Sequence, residues 1–275
     1  MKRLVIIRGA GEIASGAAIY LHNAGFRVLI LEKEKPSSTR REVSFADAAY
    51  DGEKTVARVT CKKAGSPKEA EKLLKAGELV MLIDPGGRHI AGFEPQVVID
   101  ALMANENFGT TRDMAQHTLA LGPGFCAGRD VDAVVETMRG HTLGRIIYEG
   151  YSYRKEGEVF QVGHNDKENI LLSPVEGRVE ALHNISCKME KGEPVARIHQ
   201  EDGTVTEICA HISGVLRGIV REGSMVSKGQ KLIDINPVMH QEDCFTISDK
   251  VRCIAGAVLQ AVMKWENQQP KRRFF

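Results

Sequence analysis

The first 32 residues constrain the fold more than any other part of the chain. Leu4 to Ile7 is a continuous apolar run, which is typical of a strand buried on both faces of a parallel sheet. A glycine-rich turn follows, then a helical pattern that ends near Gly25, then a second apolar run from 26 to 31. The order of strand, turn, helix and strand predicts a Rossmann-type βαβ unit over residues 4–32.

The turn in this unit contains the residues that binding of a dinucleotide requires. Gly9 permits a tight turn, Gly11 lets backbone amides approach a pyrophosphate, and Ala14 lets the helix pack closely on the strand. Glu32 follows about 20 residues later, where an acid accepts hydrogen bonds from ribose hydroxyls and disfavours the 2′-phosphate of NADP. The predicted cofactor site therefore contains Gly9, Ala10, Gly11, Glu12, Ile13, Ala14 and Glu32. A Rossmann scaffold without a ligand is the alternative.

The α/β alternation continues beyond this unit. The patterns predict a helix over 67–76, strands over 79–83, 97–100 and 119–121, and a helix over 131–138. Gly122 and Gly124 lie in the loop after the last of these strands. This loop is either a second phosphate cradle or an ordinary strand-to-helix turn.

Several polar residues outside the first turn are further candidates. Arg112, in the segment 109–114, is predicted to contact a phosphate or carboxylate, with a local ion pair to Asp113 as the alternative. Arg40 and Arg41 are either ligand contacts or solvated loop residues. The candidate catalytic groups are Asp113, His141 and Cys126. A helix-end cap for the histidine and an inert thiol for the cysteine are the alternatives.

After Gly163 the pattern changes to short strands and turns, and it repeats. Residues 173–198 align with 210–235 at an offset of 37 without a gap, so that Gly177 matches Gly214. Two such copies resemble the halves of a biotinyl/lipoyl-like barrel-sandwich domain. Carrier members of that family have a lysine between the halves, and the connection 199–204 has none. The repeat is therefore expected to be a structural docking or covering domain and not a carrier of a cofactor.

The predicted fold class is α/β: a Rossmann-like parallel-sheet domain, a small β-rich barrel-sandwich domain and a C-terminal helix. The predicted domains are 1–150 for dinucleotide binding, 151–243 for the biotinyl/lipoyl-like repeat, and 244–275 for a helix that returns to the first domain. Ser248 is the expected N-cap of this helix.

Composition excludes several classes of function. The 37 basic and 36 acidic residues give no electrostatic footprint for nucleic acid or an anionic membrane. The N-terminal apolar run is too short for a signal peptide or a membrane span, which predicts a cytoplasmic protein. The six cysteines form no CxxC pair, so neither a disulfide framework nor a bound metal is predicted.

Several blocks of the sequence together resemble one family. They are 9–16, 32–36, 109–114, 121–125, 136–141 and 247–250. These blocks resemble the YqeB family of selenium-dependent molybdenum hydroxylase system proteins, and the match runs nearly end to end. The resemblance implies a maturation or accessory role for cytoplasmic molybdenum hydroxylases, with such an enzyme or its maturation proteins as partners. It implies no catalytic residue.

Three functions remain open from the sequence. The first is a maturation factor that binds NAD or a molybdopterin dinucleotide as its dinucleotide ligand. The second is an NAD-dependent oxidoreductase, in which His141 or Asp113 would transfer the proton. The third is a non-catalytic assembly scaffold, and a homo-oligomer is compatible with all three.

Overall fold

Residues 3–104, 106–152 and 169–267 are described by a computed structural model of the chain. They fall into two units. The first unit comprises the described residues of Met1–Pro36, Phe45–Phe160 and Ser248–Phe275. The second comprises those of Ser37–Ser44 and Gln161–Ile247. The short segment 37–44, which contains Arg40 and Arg41, thus belongs to the second unit.

The first unit is built on a sheet of nine strands. The strands of this unit are β1 Leu4–Arg8, β2 Arg27–Glu32, β3 Glu53–Val56, β4 Val59–Ala64, β5 Leu79–Ile83, β6 Val97–Asp100, β7 His117–Leu121, β8 Cys126–Ala127, β9 Ala133–Val135, β10 Ile146–Ile147 and β11 Gly150–Tyr151. The order in the large sheet is β10-β9-β7-β6-β1-β2-β5-β4-β3, and β8 pairs separately with β11. The pairs at the two ends, β10 with β9 and β3 with β4, are antiparallel, whereas the inner pairs are parallel.

The helices of the first unit are α1 Glu12–Asn23, α2 Ala48–Asp51, α3 Pro67–Lys75, α4 Ile90–Phe93 and α5 Asp249–Glu266. The expected N-cap of α5 is confirmed, because the Ser248 side chain accepts a hydrogen bond from Val251 N at 3.4 Å. The apolar stripe of α5 is buried, and this helix packs against α1. Within the described residues, no helix is long and apolar enough to span a bilayer.

The predicted Rossmann-like parallel-sheet fold is wrong. The structure has a large mixed sheet with few helices, because antiparallel strands close both ends and several crossovers contain no helix. The described residues between β6 and β7 contain only the short 3₁₀ turn Arg112–Met114. The helix predicted over 131–138 is also wrong, since Ala133–Val135 is a strand, as its β-branched residues favour.

The second unit contains two four-stranded antiparallel sheets. Its strands are β12 Ile170–Leu172, β13 Gly177–Ala181, β14 Lys188–Met189, β15 Pro194–His199, β16 Val205–Cys209, β17 Gly214–Ile219, β18 Met225–Val226 and β19 Lys231–Asn236. The sheet orders are β12-β19-β17-β14 and β16-β15-β13-β18. The predicted fold class of a Rossmann-like domain followed by a biotinyl/lipoyl-like barrel is wrong for the chain. Among the described residues of the second unit, no strand pair joins the two sheets into a closed barrel.

The 37-residue repeat nevertheless has a structural counterpart. Strands β14 and β15 recur as β18 and β19 at that offset, and each sheet takes one short strand from the other copy. Gly177 and Gly214 occupy equivalent close approaches. A Cβ on Gly177 would lie 2.5 Å from the carbonyl oxygen of His199, and one on Gly214 would lie 2.6 Å from that of Asn236. Both positions therefore require glycine.

Candidate functional site

The candidate site lies at the carboxyl edge of the large sheet. Strand β1 pairs with β2 on one side and with β6 on the other, so the connections that leave β1 and β6 diverge. In open α/β sheets such a divergence forms a crevice at the carboxyl ends of the strands, where ligands bind. The predicted turn at 9–11 and the acid Glu32 both lie at this edge.

The turn between β1 and α1 has the geometry of a close backbone approach. Gly9 has φ 101°, a conformation that L side chains rarely adopt, and a Cβ there would lie 3.0 Å from the carbonyl oxygen of Ala101. Gly11 is the N-cap of α1, and a Cβ on it would have no neighbour within 4 Å. The turn therefore leaves open space in front of the first amides of a 12-residue helix, where an anion is favoured.

Glu32 is held against this turn by two backbone amides. Its carboxylate accepts hydrogen bonds from Ala10 N and from Lys33 N, each at 2.8 Å. Burial raises the pKa of Glu32, and the hydrogen bonds from Lys33 and Ala10 partly oppose that rise. A carboxylate has about four acceptor positions, so the two bonds leave capacity for ribose hydroxyls.

The other predicted residues of the turn have mainly structural contacts. Ala10 and Ala14 are fully buried, and Ile13 is half-buried. The Glu12 carboxylate accepts a hydrogen bond from Ser248 Oγ at 3.2 Å. Ser15, which was not predicted, donates to the Ala10 carbonyl and accepts from Phe45 N, and it thereby fixes the turn.

A buried polar cluster beside the turn was missed by the sequence analysis. Arg8 is the last residue of β1 and Asp100 is the last residue of β6. Arg8 Nη1 and Asp100 Oδ2 are 3.6 Å apart. The Thr110 hydroxyl bonds to both side chains. Arg8 also donates to the carbonyl oxygens of Pro85 and Phe108. The sequence signal for this cluster was a charged residue at the end of an apolar strand. A buried charge is costly without a partner, so such a residue indicates a buried polar partner.

A second missed pair follows β5. Asp84 is buried and accepts hydrogen bonds from Arg88 N, His89 N and His89 Nδ1. Burial alone would raise the pKa of Asp84, but these hydrogen bonds outweigh it and hold the pKa below its ordinary value. The Asp84 amide donates to the Glu32 carbonyl, so this turn adjoins Glu32.

Arg112 and Asp113 line an open, polar cleft of about 480 Å³. Its other lining residues are Asn107, Thr110, Thr111, Arg129 and Asp130. Arg112 is held in place by Asp132, which accepts from its Nη2 at 2.7 Å, and by the Gly128 carbonyl. The structure thus places Arg112 and the exposed Asp113 together at the cleft, linked to the buried cluster through Thr110.

The remaining predicted residues lie elsewhere. Gly122 and Gly124 follow β7, two strands from β1, and both have positive φ. A Cβ on Gly122 would lie 2.8 Å from Thr137 Oγ1, which explains this glycine by packing alone. Cys126 is half-buried in β8, and His141 is exposed in a loop. The described residues contain no group of three or more side chains suited to a metal ion.

Comparison with known proteins identifies one relative of the chain. The chain is 40% identical over 269 residues to "Uncharacterized protein YqeB" of Escherichia coli strain K12. The alignment covers 98% of this chain and 49% of that protein. Nearly the whole chain is therefore similar to one part of YqeB. It spans about half the length of that relative, whose name states no activity. No family model matches the chain.

Solved structures give only weak similarities. The ectoine utilization protein EutE (DoeB) of Ruegeria pomeroyi in its apo form has 9% identity and a TM-score of 0.30, with 85% of this chain and 86% of that chain covered. An aspartoacylase family protein of Mesorhizobium loti has 11% identity and a TM-score of 0.31, with 86% of each chain covered. Scores of this size give no basis for transferring either activity.

Proposed function

We propose that the first unit binds a dinucleotide-type ligand, with its pyrophosphate at the turn 9–11 and a ribose at Glu32. The observation that carries the proposal is the position of Glu32, whose carboxylate is bonded to the amide of Ala10 inside that turn. The acid and the open helix N-terminus are therefore adjacent. A ribose followed by a phosphate has the matching order of hydroxyl donors and negative charge.

Equilibrium binding to the purified chain tests this proposal. NAD, molybdopterin dinucleotide and ATP are titrated separately by calorimetry. We expect measurable affinity for at least one dinucleotide. Absence of affinity for both NAD and molybdopterin dinucleotide would overturn the proposal, whether or not ATP binds.

Two glycine variants locate the site. In Gly11→Val the new side chain enters open space, so the chain should fold normally and lose the ligand because backbone approach is blocked. Gly92→Val is the matched control, since a Cβ on Gly92 also meets nothing within 4 Å and this glycine lies in α4 and not in the turn. Equal affinities in the two variants would contradict the placement.

The proposed cellular role is that of a maturation or accessory factor in a selenium-dependent molybdenum hydroxylase system. It rests on the resemblance to the YqeB family given by the sequence blocks. The partner would be a molybdenum hydroxylase or one of its maturation proteins. Cells that lack the chain should yield a molybdenum hydroxylase with less bound cofactor. An enzyme with its full cofactor content would contradict this role.

A further inference from the structure

Two large apolar side chains are exposed at the same edge as the proposed ligand site. Phe108 is 58% exposed and Leu102 is 36% exposed, and both follow β6. Exposing an aromatic ring to water is unfavourable by about 25 cal/mol for each Å² of apolar surface. A single exposed apolar residue is common, but two beside a crevice of the sheet need an explanation.

The backbone that presents Phe108 is fixed by buried groups. Its carbonyl oxygen accepts a hydrogen bond from Arg8 Nη2 at 3.1 Å, and Arg8 is 2% exposed. The side chain of Asn107, the residue before Phe108, bonds to both the amide and the carbonyl of Thr110, at 2.7 and 2.8 Å. Phe108 is thus displayed by an anchored loop.

This loop adjoins the turn that would hold the pyrophosphate. The position of a Cβ on Gly9 lies 3.4 Å from the Cα of Leu102 and 3.0 Å from the carbonyl oxygen of Ala101. Arg8, which holds Phe108, directly precedes Gly9 in the chain. Glu32 lies on the opposite side, because β2 and β6 flank β1 on its two sides. A ligand that binds Glu32 and the turn would continue toward Leu102 and Phe108.

We propose that Phe108 stacks against a flat heterocyclic ring in the half of the ligand farther from Glu32. This inference rests on the proposed function. A ring is the chemistry that fits, because an exposed aromatic face stacks on any heterocycle. Its edge would meet a polar group, since the exposed Thr111 lines the adjoining cleft.

A dinucleotide and a truncated form of it that lacks the distal ring test the inference. For NAD the truncated ligand is ADP-ribose, which keeps the pyrophosphate and both riboses. For molybdopterin dinucleotide it is the nucleoside diphosphate, which keeps the pyrophosphate, the ribose and the base. Phe108→Ala should lower affinity for the dinucleotide about tenfold, which corresponds to ~1.4 kcal/mol. It should leave affinity for the truncated ligand unchanged within twofold.

Two further variants make the result specific. Phe108→Trp keeps a flat ring and should retain the affinity for the dinucleotide. Met263→Ala removes another exposed apolar side chain, on α5, and should have no effect on either ligand. Thermal unfolding of each variant checks that the fold is retained.

The outcomes separate this inference from the proposed function. If a dinucleotide binds and Phe108→Ala has unchanged affinity for it, the stacking site is overturned and the proposed function stands. Equal losses for the dinucleotide and its truncated form would also overturn the stacking site, because the ring would not be the group that Phe108 recognises. If no dinucleotide binds the unchanged chain, both proposals are overturned.

Discussion

Arg8 and Asp100 are paired in register as the last residues of neighbouring parallel strands, and their side chains form an ion pair that is almost wholly buried. Each side chain is only 3% exposed, and the closest charged atoms are 3.6 Å apart. The Thr110 hydroxyl bonds to both. The pair therefore connects the ends of β1 and β6 to the loop that carries Phe108 and the cleft residues.

Removal of one partner of this pair should destabilise the first unit strongly. We expect Asp100→Ala to lower the free energy of unfolding by about 3–5 kcal/mol, because the Arg8 guanidinium is left buried without its carboxylate. Urea unfolding followed by circular dichroism measures the change.

An exposed ion pair is the control for that measurement. Glu71 and Lys75 are paired on α3 with mostly solvated side chains. Glu71→Ala should change the free energy of unfolding by at most about 0.5 kcal/mol. Similar losses for Asp100→Ala and Glu71→Ala would show that burial of the Arg8 pair has no energetic consequence.

The glycines of the repeat should not tolerate a methyl group. Gly177→Ala and Gly214→Ala each place a Cβ within 2.6 Å of a carbonyl oxygen on a neighbouring strand. We expect each to lower the free energy of unfolding of the second unit by about 1–3 kcal/mol, since the backbones must separate. Denaturant unfolding gives both values, and the idea fails if either variant is as stable as the parent.

A third glycine should respond in the opposite direction. Gly256 lies inside α5, and a Cβ there meets nothing within 4 Å. Gly256→Ala should raise the free energy of unfolding by about 0.5–1 kcal/mol, because alanine has the higher helix propensity. A loss of stability would indicate that this helix face has a packing partner.

Local patterns predicted the elements of the chain better than its architecture. The strand β1, the helix α1 and the strand β2 follow from an apolar run, a glycine turn and helical spacing, all within 32 residues. The wrong fold class came from features that local patterns do not determine. Whether a crossover contains a helix and whether an end strand runs antiparallel depend on pairing between distant segments.

The same limit applies to the site. Glu32 could be predicted because the spacing from the glycines is a local property, and the structure places it at the turn. The pairing of Arg8 with Asp100 could not be predicted, because 91 residues lie between them and only the order of strands in the sheet brings them together. The hydrogen bonds between Arg112 and Asp132 could likewise not be predicted from the sequence.

Acid should weaken the second unit through Asp234. This carboxylate is fully buried, and it accepts hydrogen bonds from Arg217 Nε at 2.6 Å and Lys231 Nζ at 2.7 Å. Burial alone would raise the pKa of Asp234, but Lys231 and Arg217 outweigh it and lower the pKa. A lowered pKa in the folded state contributes stability above the unfolded value, at about pH 4, which is lost as pH falls further.

Asp234→Asn tests that contribution. At pH 7 the variant should be less stable by about 3 kcal/mol, because Arg217 and Lys231 lose their carboxylate. Its stability should then change less than that of the parent between pH 5 and about pH 3. Urea unfolding at both pH values measures the difference, and parallel pH profiles would contradict the account.

Ligand affinity should fall with acidification because of Glu32. Burial raises the pKa of this carboxyl, so it gains a proton at a higher pH than an ordinary glutamate, whose pKa is about 4.3. The protonated group has fewer acceptor positions for a ribose. A raised pKa contributes stability that is present at low pH and lost as pH rises, so protonation of Glu32 does not itself unfold the chain.

Calorimetric titration of the dinucleotide from pH 7.5 down to about pH 4, which is below the ordinary pKa of a glutamate, measures this dependence. The parent should bind progressively more weakly over that range, whereas Glu32→Gln should bind about tenfold more weakly at pH 7.5, with a flat profile, because glutamine has no charge to lose. The ribose contact is contradicted if both proteins show the same slope. A flat profile for the parent would instead indicate that the ligand does not use the Glu32 carboxylate as its acceptor.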